Sequence, residues 1–119
     1  NKGISANAIS PRSPGYAASA KPSALERYRD DVIALNPDLF ILAYGLNDMR
    51  AGMPPEDFRQ DMAQIITDVK AACDPVTVLT TVYHMSAHDL YHPTTWAARK
   101  PRWFIAWSSA SWLRCMTAF

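Results

Sequence analysis

The feature that most constrains this chain is an apolar run from Leu39 to Tyr44 that stops at Gly45. A run this short and this uniformly apolar predicts a strand that is buried on both faces, as strands of parallel sheets are. In open α/β sheets, ligands bind just beyond the carboxyl ends of the strands. The residues that follow the run, Gly45 to Asp48, therefore lie at a predicted ligand-binding edge.

Helix and strand signals alternate on either side of this run. A capping box at Ser23 and Glu26 begins a predicted helix, which ends before Pro37 because the residue preceding proline disfavours helical angles. The stretch 55–73 has helical periodicity, and the β-branched stretch 76–83 predicts the next strand. This order predicts an α/β fold with a parallel sheet. Two connecting segments are predicted to be loops, residues 11–22 and residues 50–53.

The composition bounds the class of protein. The chain has 119 residues, 49% of them hydrophobic and 19% charged, with a formal net charge of +1, which predicts one domain and gives no electrostatic case for binding nucleic acid. No apolar run approaches the roughly 18 residues that a transmembrane helix needs. Cys73 and Cys115 form no disulfide or metal pattern, so the redox compartment stays open. Secreted and cytoplasmic locations both stay open, and the sequence does not predict the oligomeric state.

Two short blocks carry a resemblance to a known family. Gly45-Leu46-Asn47-Asp48 resembles the G-x-N-D block of the SGNH (GDSL-type) hydrolases, and Asn1-Lys2-Gly3-Ile4-Ser5-Ala6-Asn7 resembles the N-x-G-x-S-G block that precedes it in that family. The match covers residues 1–83 in order and spacing. It implies a flavodoxin-like three-layer α/β/α sandwich with a parallel sheet, here without its first strand and its C-terminal part. It also implies ester hydrolysis without a cofactor.

The resemblance assigns tasks to four residues at the sheet edge. Attack on an ester puts negative charge on the carbonyl oxygen, and fixed hydrogen-bond donors stabilise that charge. The side-chain amide of Asn47 is one implied donor, and the backbone N–H at the second-block glycine position, occupied here by Ala6, is the other. Gly45 is expected to allow a tight turn, and Asp48 to hold Asn47 by bonding to the loop backbone.

The groups that would attack the ester, a nucleophilic serine and the histidine and aspartate that activate it, are less complete in this sequence. Asp89-Leu90-Tyr91-His92-Pro93 matches the family's D-x-x-H-P block, in which the carboxylate orients the imidazole. The block follows the predicted strand 76–83 directly, whereas the family places another helix and strand between them, so a loop histidine is the alternative. No Gly-Asp-Ser serine occurs, and three serines near the first block are interpreted as loop serines: Ser5, Ser10 and Ser13. Spacing also allows a metal site, to which no metal is assigned, at His84, His88, Asp89 and His92.

The last segment fits no periodicity. All four tryptophans lie within 17 residues, between Trp96 and Trp112. One interpretation is a Trp-rich cap or partner surface. The other is translation out of frame from about Thr94, because a shifted frame permits a capped amphipathic helix. We therefore divide the chain into residues 1–93, the central part of a hydrolase domain, and an atypical tail, residues 94–119.

The sequence thus leads to two functional hypotheses. The first is hydrolysis of a small ester, an acylated sugar or a lipid-like molecule, by a serine-hydrolase mechanism in a longer parent, with this chain supplying the oxyanion-hole half of the site. The alternative is a non-catalytic α/β module or an inactive truncated product.

Overall fold

The structure, a computed structural model, describes residues 1–19 and 21–80. They form a mixed helix and strand fold with a small parallel sheet, compatible with the predicted α/β class. In chain order the elements are α1 (Tyr16–Ser19), α2 (Ala24–Asp31), a 3₁₀ turn (Ile33–Leu35), β1 (Leu39–Leu42), α3 (Leu46–Ala51), α4 (Pro55–Cys73) and β2 (Val76–Leu79).

Strands β1 and β2 are paired in parallel along their full described length. The Val76 N–H donates to the Asp38 carbonyl at 2.9 Å, and the Thr80 N–H donates to the Leu42 carbonyl at 3.1 Å. Pairing therefore ends at Leu42, two residues before the predicted end of this strand at Tyr44. Residues 81–83 of the second predicted strand lie outside the described residues.

Helix α2 begins at the predicted capping box. The Ser23 N–H and hydroxyl both donate to the Glu26 carboxylate at 2.8 Å, and these hydrogen bonds lower the pKa of Glu26. The regular helix ends at Asp31, earlier than predicted, and the chain continues through the 3₁₀ turn to Asn36. Asn36 adopts φ 45°, a left-handed angle that asparagine tolerates better than most residues.

Helix α4 supplies five of the twelve residues of the buried core cluster, more than any other element. Its start at Pro55 and its end at Cys73 agree with the prediction, and the proline occupies the first helical position, where its missing N–H costs nothing. The apolar stripe of α4 packs against Phe40 and Leu42 of β1 and against Tyr28 of α2. The fully or almost fully buried members of that stripe are Phe58, Met62, Ile65, Ile66 and Val69.

The prediction that β1 is buried on both faces is wrong for the described structure. Phe40 and Leu42 are buried, but Leu39 is 54% exposed and Ile41 is 56% exposed. The core formed by α2 and α4 covers only the Phe40 side of the sheet. Within residues 1–19 and 21–80, no element covers the opposite side, so an alternating burial pattern replaces the continuous one.

Two predicted loops contain helices. Tyr16–Ser19 forms α1 within the segment 11–22, and α3 extends to Ala51 within the segment predicted to be irregular. Gly52 follows the last residue of α3, and its φ of 87° suits a helix C-terminus. Helices of four and six residues are too short to establish a period in the sequence, which is why the pattern does not predict them.

Candidate functional site

The candidate site lies where β1 ends and α3 begins. Gly45 occupies the turn with φ 117°, an angle that side chains rarely tolerate, and its carbonyl accepts the Met49 N–H at 2.8 Å. Leu46 is therefore already helical, and Asn47 lies in the first turn of α3. The tight reversal at Gly45 keeps Asn47 at the carboxyl edge of the sheet instead of carrying the chain away from it.

Asn47 contacts the loop formed by the first sequence block. Its side-chain nitrogen Nδ2 donates to the backbone carbonyl of Asn7 at 3.4 Å, a long hydrogen bond. The Asn47 side chain is half-buried. One of its two amide hydrogens points at Asn7, which leaves the other as a donor for a ligand.

Asp48, the residue after Asn47, also binds the loop of the first sequence block. It is fully buried, and its Oδ1 accepts the backbone N–H of Ile9 at 2.9 Å. The blocks around Ala6 and around Asn47 are therefore joined by two hydrogen bonds, although they are about forty residues apart in sequence. The Asp48 bond goes to the loop backbone, the kind of contact that the sequence predicts for it.

Burial of Asp48 has an electrostatic cost. Desolvation raises the pKa of its carboxyl above the ordinary value of 3.8, and hydrogen bonding to Ile9 N–H and to Ser13 opposes that rise without cancelling it. Its second oxygen, Oδ2, and the buried hydroxyl of Ser13 make no hydrogen bond of good geometry to any described group. Oδ1 of Asp48 is thus hydrogen-bonded to the loop, whereas Oδ2 is buried without a hydrogen bond of good geometry to the described residues.

Ala6 adopts the backbone conformation that favours glycine. Its φ is 57°, in the left-handed region, which costs a residue with a Cβ about 1 kcal/mol or more. The residue is exposed, and within the part of the chain that the structure describes its backbone N–H donates no hydrogen bond. A backbone N–H without an acceptor, one residue before the carbonyl that Asn47 contacts, suits an oxyanion donor.

A polar chain behind this loop was not predicted from the sequence. The Tyr44 hydroxyl donates to Asn7 Oδ1 at 2.6 Å and accepts from Arg27 Nη2 at 3.0 Å, and Asn7 Nδ2 donates to the Pro22 carbonyl at 2.8 Å. The only sequence signal was a tyrosine at the end of an otherwise apolar run. Burial disfavours the Arg27 cation, but hydrogen bonds to Tyr44 and Asp31 outweigh it and raise the pKa of the guanidinium.

Ser5, Ser10 and Ser13 near the first block do not have the surroundings of a catalytic nucleophile, which needs an accessible hydroxyl beside a base. The Ser10 hydroxyl is buried and donates to Asp61 Oδ2 at 2.5 Å, and Arg12 pairs with the other oxygen of Asp61. Ser13 is buried beside Asp48, and Ser5 is exposed. None of them has an imidazole partner in residues 1–80, since all three histidines come later in the sequence.

Other predicted positions lie outside the described residues: His84, His88, Asp89 and His92. Among residues 1–19 and 21–80, no group of three or more acidic, histidine or cysteine side chains is arranged to hold a metal ion. No helix in that part of the chain is long and apolar enough to cross a membrane.

A cavity of about 580 Å³ lies next to the site but does not contain its donors. It follows β1 and α2 and is lined on its polar side by Arg27, Asp31 and Tyr44, together with the first three residues of the chain. Ala6 and Asn47 are not among its lining residues. Tyr44 both lines the cavity and donates to Asn7, the residue after Ala6.

This edge belongs to a mixed helix and strand fold, compatible with the α/β class, in which the loop that carries Ala6 meets the turn that carries Asn47 at the carboxyl end of a parallel strand. The sequence profile of the GDSL-like Lipase/Acylhydrolase family matches residues 1–113, and the chain belongs to that family. The match confirms the resemblance found in the two blocks and supports hydrolysis of small-molecule esters as the general activity. No curated protein and no solved structure matches the chain.

Proposed function

We propose that this chain supplies the oxyanion hole of a serine-type ester hydrolase, with Asn47 Nδ2 and the Ala6 N–H as the two donors. The observation that carries the proposal is the contact between the loops: Asn47 Nδ2 lies 3.4 Å from the carbonyl of Asn7, the residue after Ala6. Gly45 sets the turn and Asp48 ties the two loops through Ile9. The flavodoxin-like three-layer sandwich is part of this proposal.

The chemistry requires donors that are in place before the reaction begins. When a serine oxygen attacks the ester carbonyl, the carbonyl oxygen gains a full negative charge in the tetrahedral intermediate. Donors fixed by the fold stabilise that charge without reorganising, and removing one of them costs roughly 10²–10³ in turnover in a related hydrolase. Two groups support this proposal: the Ala6 N–H, which donates no hydrogen bond within residues 1–19 and 21–80, and the second hydrogen of the Asn47 amide.

Alanine at the second-block position does not remove the donor, because the N–H belongs to the backbone. The left-handed φ of 57° shows the conformation that a glycine would adopt freely. The strain is therefore carried by the loop, which is held by Asp48 on one side and by the Asn7 side chain on the other.

The nucleophile and the acid-base pair of the proposed site are assigned by the family resemblance. His92, oriented by Asp89, would take the proton of a serine from a Gly-Asp-Ser block, and residues 1–119 contain no such block. The proposed substrate is an ester of an acylated sugar or a lipid-like molecule. A polypeptide of these residues is expected to hydrolyse p-nitrophenyl acetate no faster than buffer. Losing the nucleophile lowers kcat by a factor of roughly 10⁶ in a serine hydrolase with the same kind of catalytic groups.

A binding experiment tests the donors without requiring turnover. A carboxylate product places a negatively charged oxygen where the oxyanion forms, so acetate is the probe. We expect sodium acetate, added to the ¹⁵N-labelled chain against sodium chloride of equal ionic strength, to shift the Ala6 amide and the Asn47 side-chain NH₂ resonances. Asn47→Ala should abolish the response at Ala6.

The matched control is Gln64→Ala, which removes an exposed amide from α4. It should leave the acetate response unchanged. Absence of any acetate response at Ala6 and Asn47 in the unmodified chain would refute the proposed oxyanion hole. Hydrolysis of p-nitrophenyl acetate that is abolished by His92→Ala would show instead that the nucleophile and base both lie within these residues.

A further inference from the structure

The hydrogen-bond chain behind the loop has a direction. Arg27 Nη2 donates to the Tyr44 oxygen at 3.0 Å, and the Tyr44 hydroxyl donates to Asn7 Oδ1 at 2.6 Å. A hydroxyl that accepts from a cation is polarised and becomes a stronger donor. The bond from Tyr44 to Asn7 is therefore the strong link of the chain.

Asn7 is fixed at both ends of its side-chain amide. Its Oδ1 accepts from Tyr44, its Nδ2 donates to the Pro22 carbonyl at 2.8 Å, and the residue is 3% exposed. With both halves of the amide engaged, the side chain cannot turn without breaking a buried hydrogen bond. The backbone of Asn7 is thereby held in place.

Both candidate donors depend on that backbone. The Ala6 N–H lies one residue before Asn7, in a left-handed conformation that the loop would otherwise relax. The Asn47 amide is oriented by its long bond to the Asn7 carbonyl. A shift of the Asn7 backbone by a few tenths of an ångström would break a bond that is already 3.4 Å long and would turn both donors.

Arg27 holds the loop at its other end as well. Its Nη1 donates to the Lys2 carbonyl at 2.9 Å and also pairs with Asp31, while its Nη2 holds Tyr44. One guanidinium thus spans the loop from residue 2 to residue 7, directly at Lys2 and through Tyr44 at Asn7. Its side chain is only 16% exposed, so solvent competes weakly for these bonds.

We propose that Tyr44, held by Arg27, is a positioning residue for the oxyanion hole: its hydroxyl sets the Asn7 backbone and through it the Ala6 N–H and the Asn47 amide. This inference rests on the proposed function. Tyr44 touches neither donor directly, so its effect is on their geometry. Removing the Tyr44 hydroxyl is therefore predicted to weaken the binding of an anion at the two donors while the chain stays folded.

The test is the acetate titration of the ¹⁵N-labelled full chain, repeated on Tyr44→Phe, which removes only the hydroxyl. We expect acetate affinity to fall about three- to tenfold, the range that one hydrogen bond commands, with shifted Ala6 and Asn47 resonances in the free protein. The matched control is Tyr28→Phe, because this substitution also removes a part-buried hydroxyl that donates to an acceptor, Asp68, away from the site. Its acetate affinity should not change.

The outcomes separate the two proposals. If the unmodified chain gives no acetate response at Ala6 and Asn47, both proposals fail. If it responds and Tyr44→Phe binds acetate equally well, only the positioning role is overturned. Equal weakening in Tyr44→Phe and Tyr28→Phe also overturns it, because the loss would then follow stability.

A second variant covers the case in which Tyr44→Phe does not fold. Arg27→Lys keeps the cation but cannot reach the Lys2 carbonyl and the Tyr44 hydroxyl together, since a single ammonium replaces a planar fork. Weaker acetate binding in Arg27→Lys supports the positioning role, and unchanged binding overturns it.

Discussion

The carboxylate of Asp48 accepts a hydrogen bond from the backbone N–H of Ile9 at 2.9 Å, across 39 residues of sequence. This bond fixes the loop that carries Ala6 against the turn that carries Asn47. It is made by a fully buried acid whose other oxygen makes no hydrogen bond of good geometry within residues 1–19 and 21–80, although the Ser13 hydroxyl is nearby. The edge is therefore held together at some cost in stability, and that cost should depend on pH.

Asp48→Asn should become progressively more stable than the unmodified chain as the pH rises. The pKa of Asp48 is raised by burial, so the folded state holds this proton more tightly than the unfolded chain, in which it titrates near 3.8. The free energy of unfolding therefore falls as the pH rises from about 3.8 through the raised pKa, and the loss is complete above it. Asparagine keeps an acceptor for Ile9 without this penalty.

The measurement is urea unfolding of both chains between pH 3.5 and pH 8, with the difference in unfolding free energy plotted against pH. It should grow through the lower part of that range and then level off. Asp30→Asn, at an exposed position of α2, serves as the control and should show no such growth. A difference for Asp48→Asn that is constant with pH would contradict the prediction.

Ala6→Gly should raise the free energy of unfolding by about 1 kcal/mol. Glycine adopts the left-handed φ of 57° without the steric cost that alanine incurs. Urea unfolding measures the change. Ala63→Gly, in the interior of α4, is the matched control and should lower the free energy of unfolding by about 1 kcal/mol, because the same substitution weakens a helix. The same sign for both variants would exclude relief of strain at Ala6.

Gly45→Ala should destabilise the fold by about 1–3 kcal/mol, since a φ of 117° lies where residues other than glycine are strained. A shift of the thermal or urea midpoint reports it. Gly3→Ala is the control: its added Cβ would meet the flexible Asn1 side chain at 3.1 Å, which can move aside, so a change within about 0.5 kcal/mol is expected. Equal tolerance at both positions would show that the turn at Gly45 adapts.

Asp61→Ala should cost about 2–3 kcal/mol of stability. The substitution leaves the buried Ser10 hydroxyl without its acceptor and removes the buried partner of Arg12. Asp57→Ala is the matched control, because Asp57 pairs with the same Arg12 in an exposed position, where an ion pair contributes under about 1 kcal/mol. Urea unfolding of both variants gives the comparison, and similar losses would mean that burial of Asp61 adds nothing.

Much of the local structure could be predicted because it depends on neighbouring residues. The capping box at Ser23, the start of α4 at Pro55 and the parallel pairing of two apolar strands follow from short-range sterics and periodicity. Helix α3 could not be predicted, since six residues carry no period and its start depends on the turn at Gly45. The exposure of Leu39 and Ile41 depends on which elements cover the sheet, and an apolar run does not specify that.

The candidate site also has one part that could be predicted from the sequence and one part that could not. Its two blocks can be recognised in the sequence because each is a short contiguous stretch, and the family match over residues 1–113 confirms the resemblance that they carry. The chain Arg27–Tyr44–Asn7 was missed, because hydrogen bonds between residues 17 and 37 positions apart leave no spacing signal. The sequence by itself determined the parallel α/β elements and the polar residues Asn47 and Asp48 at a strand end. Only the tertiary structure decided which side chains hold the loop of residues 6–9 at that strand end, because long-range hydrogen bonds exist only after the loops have packed together.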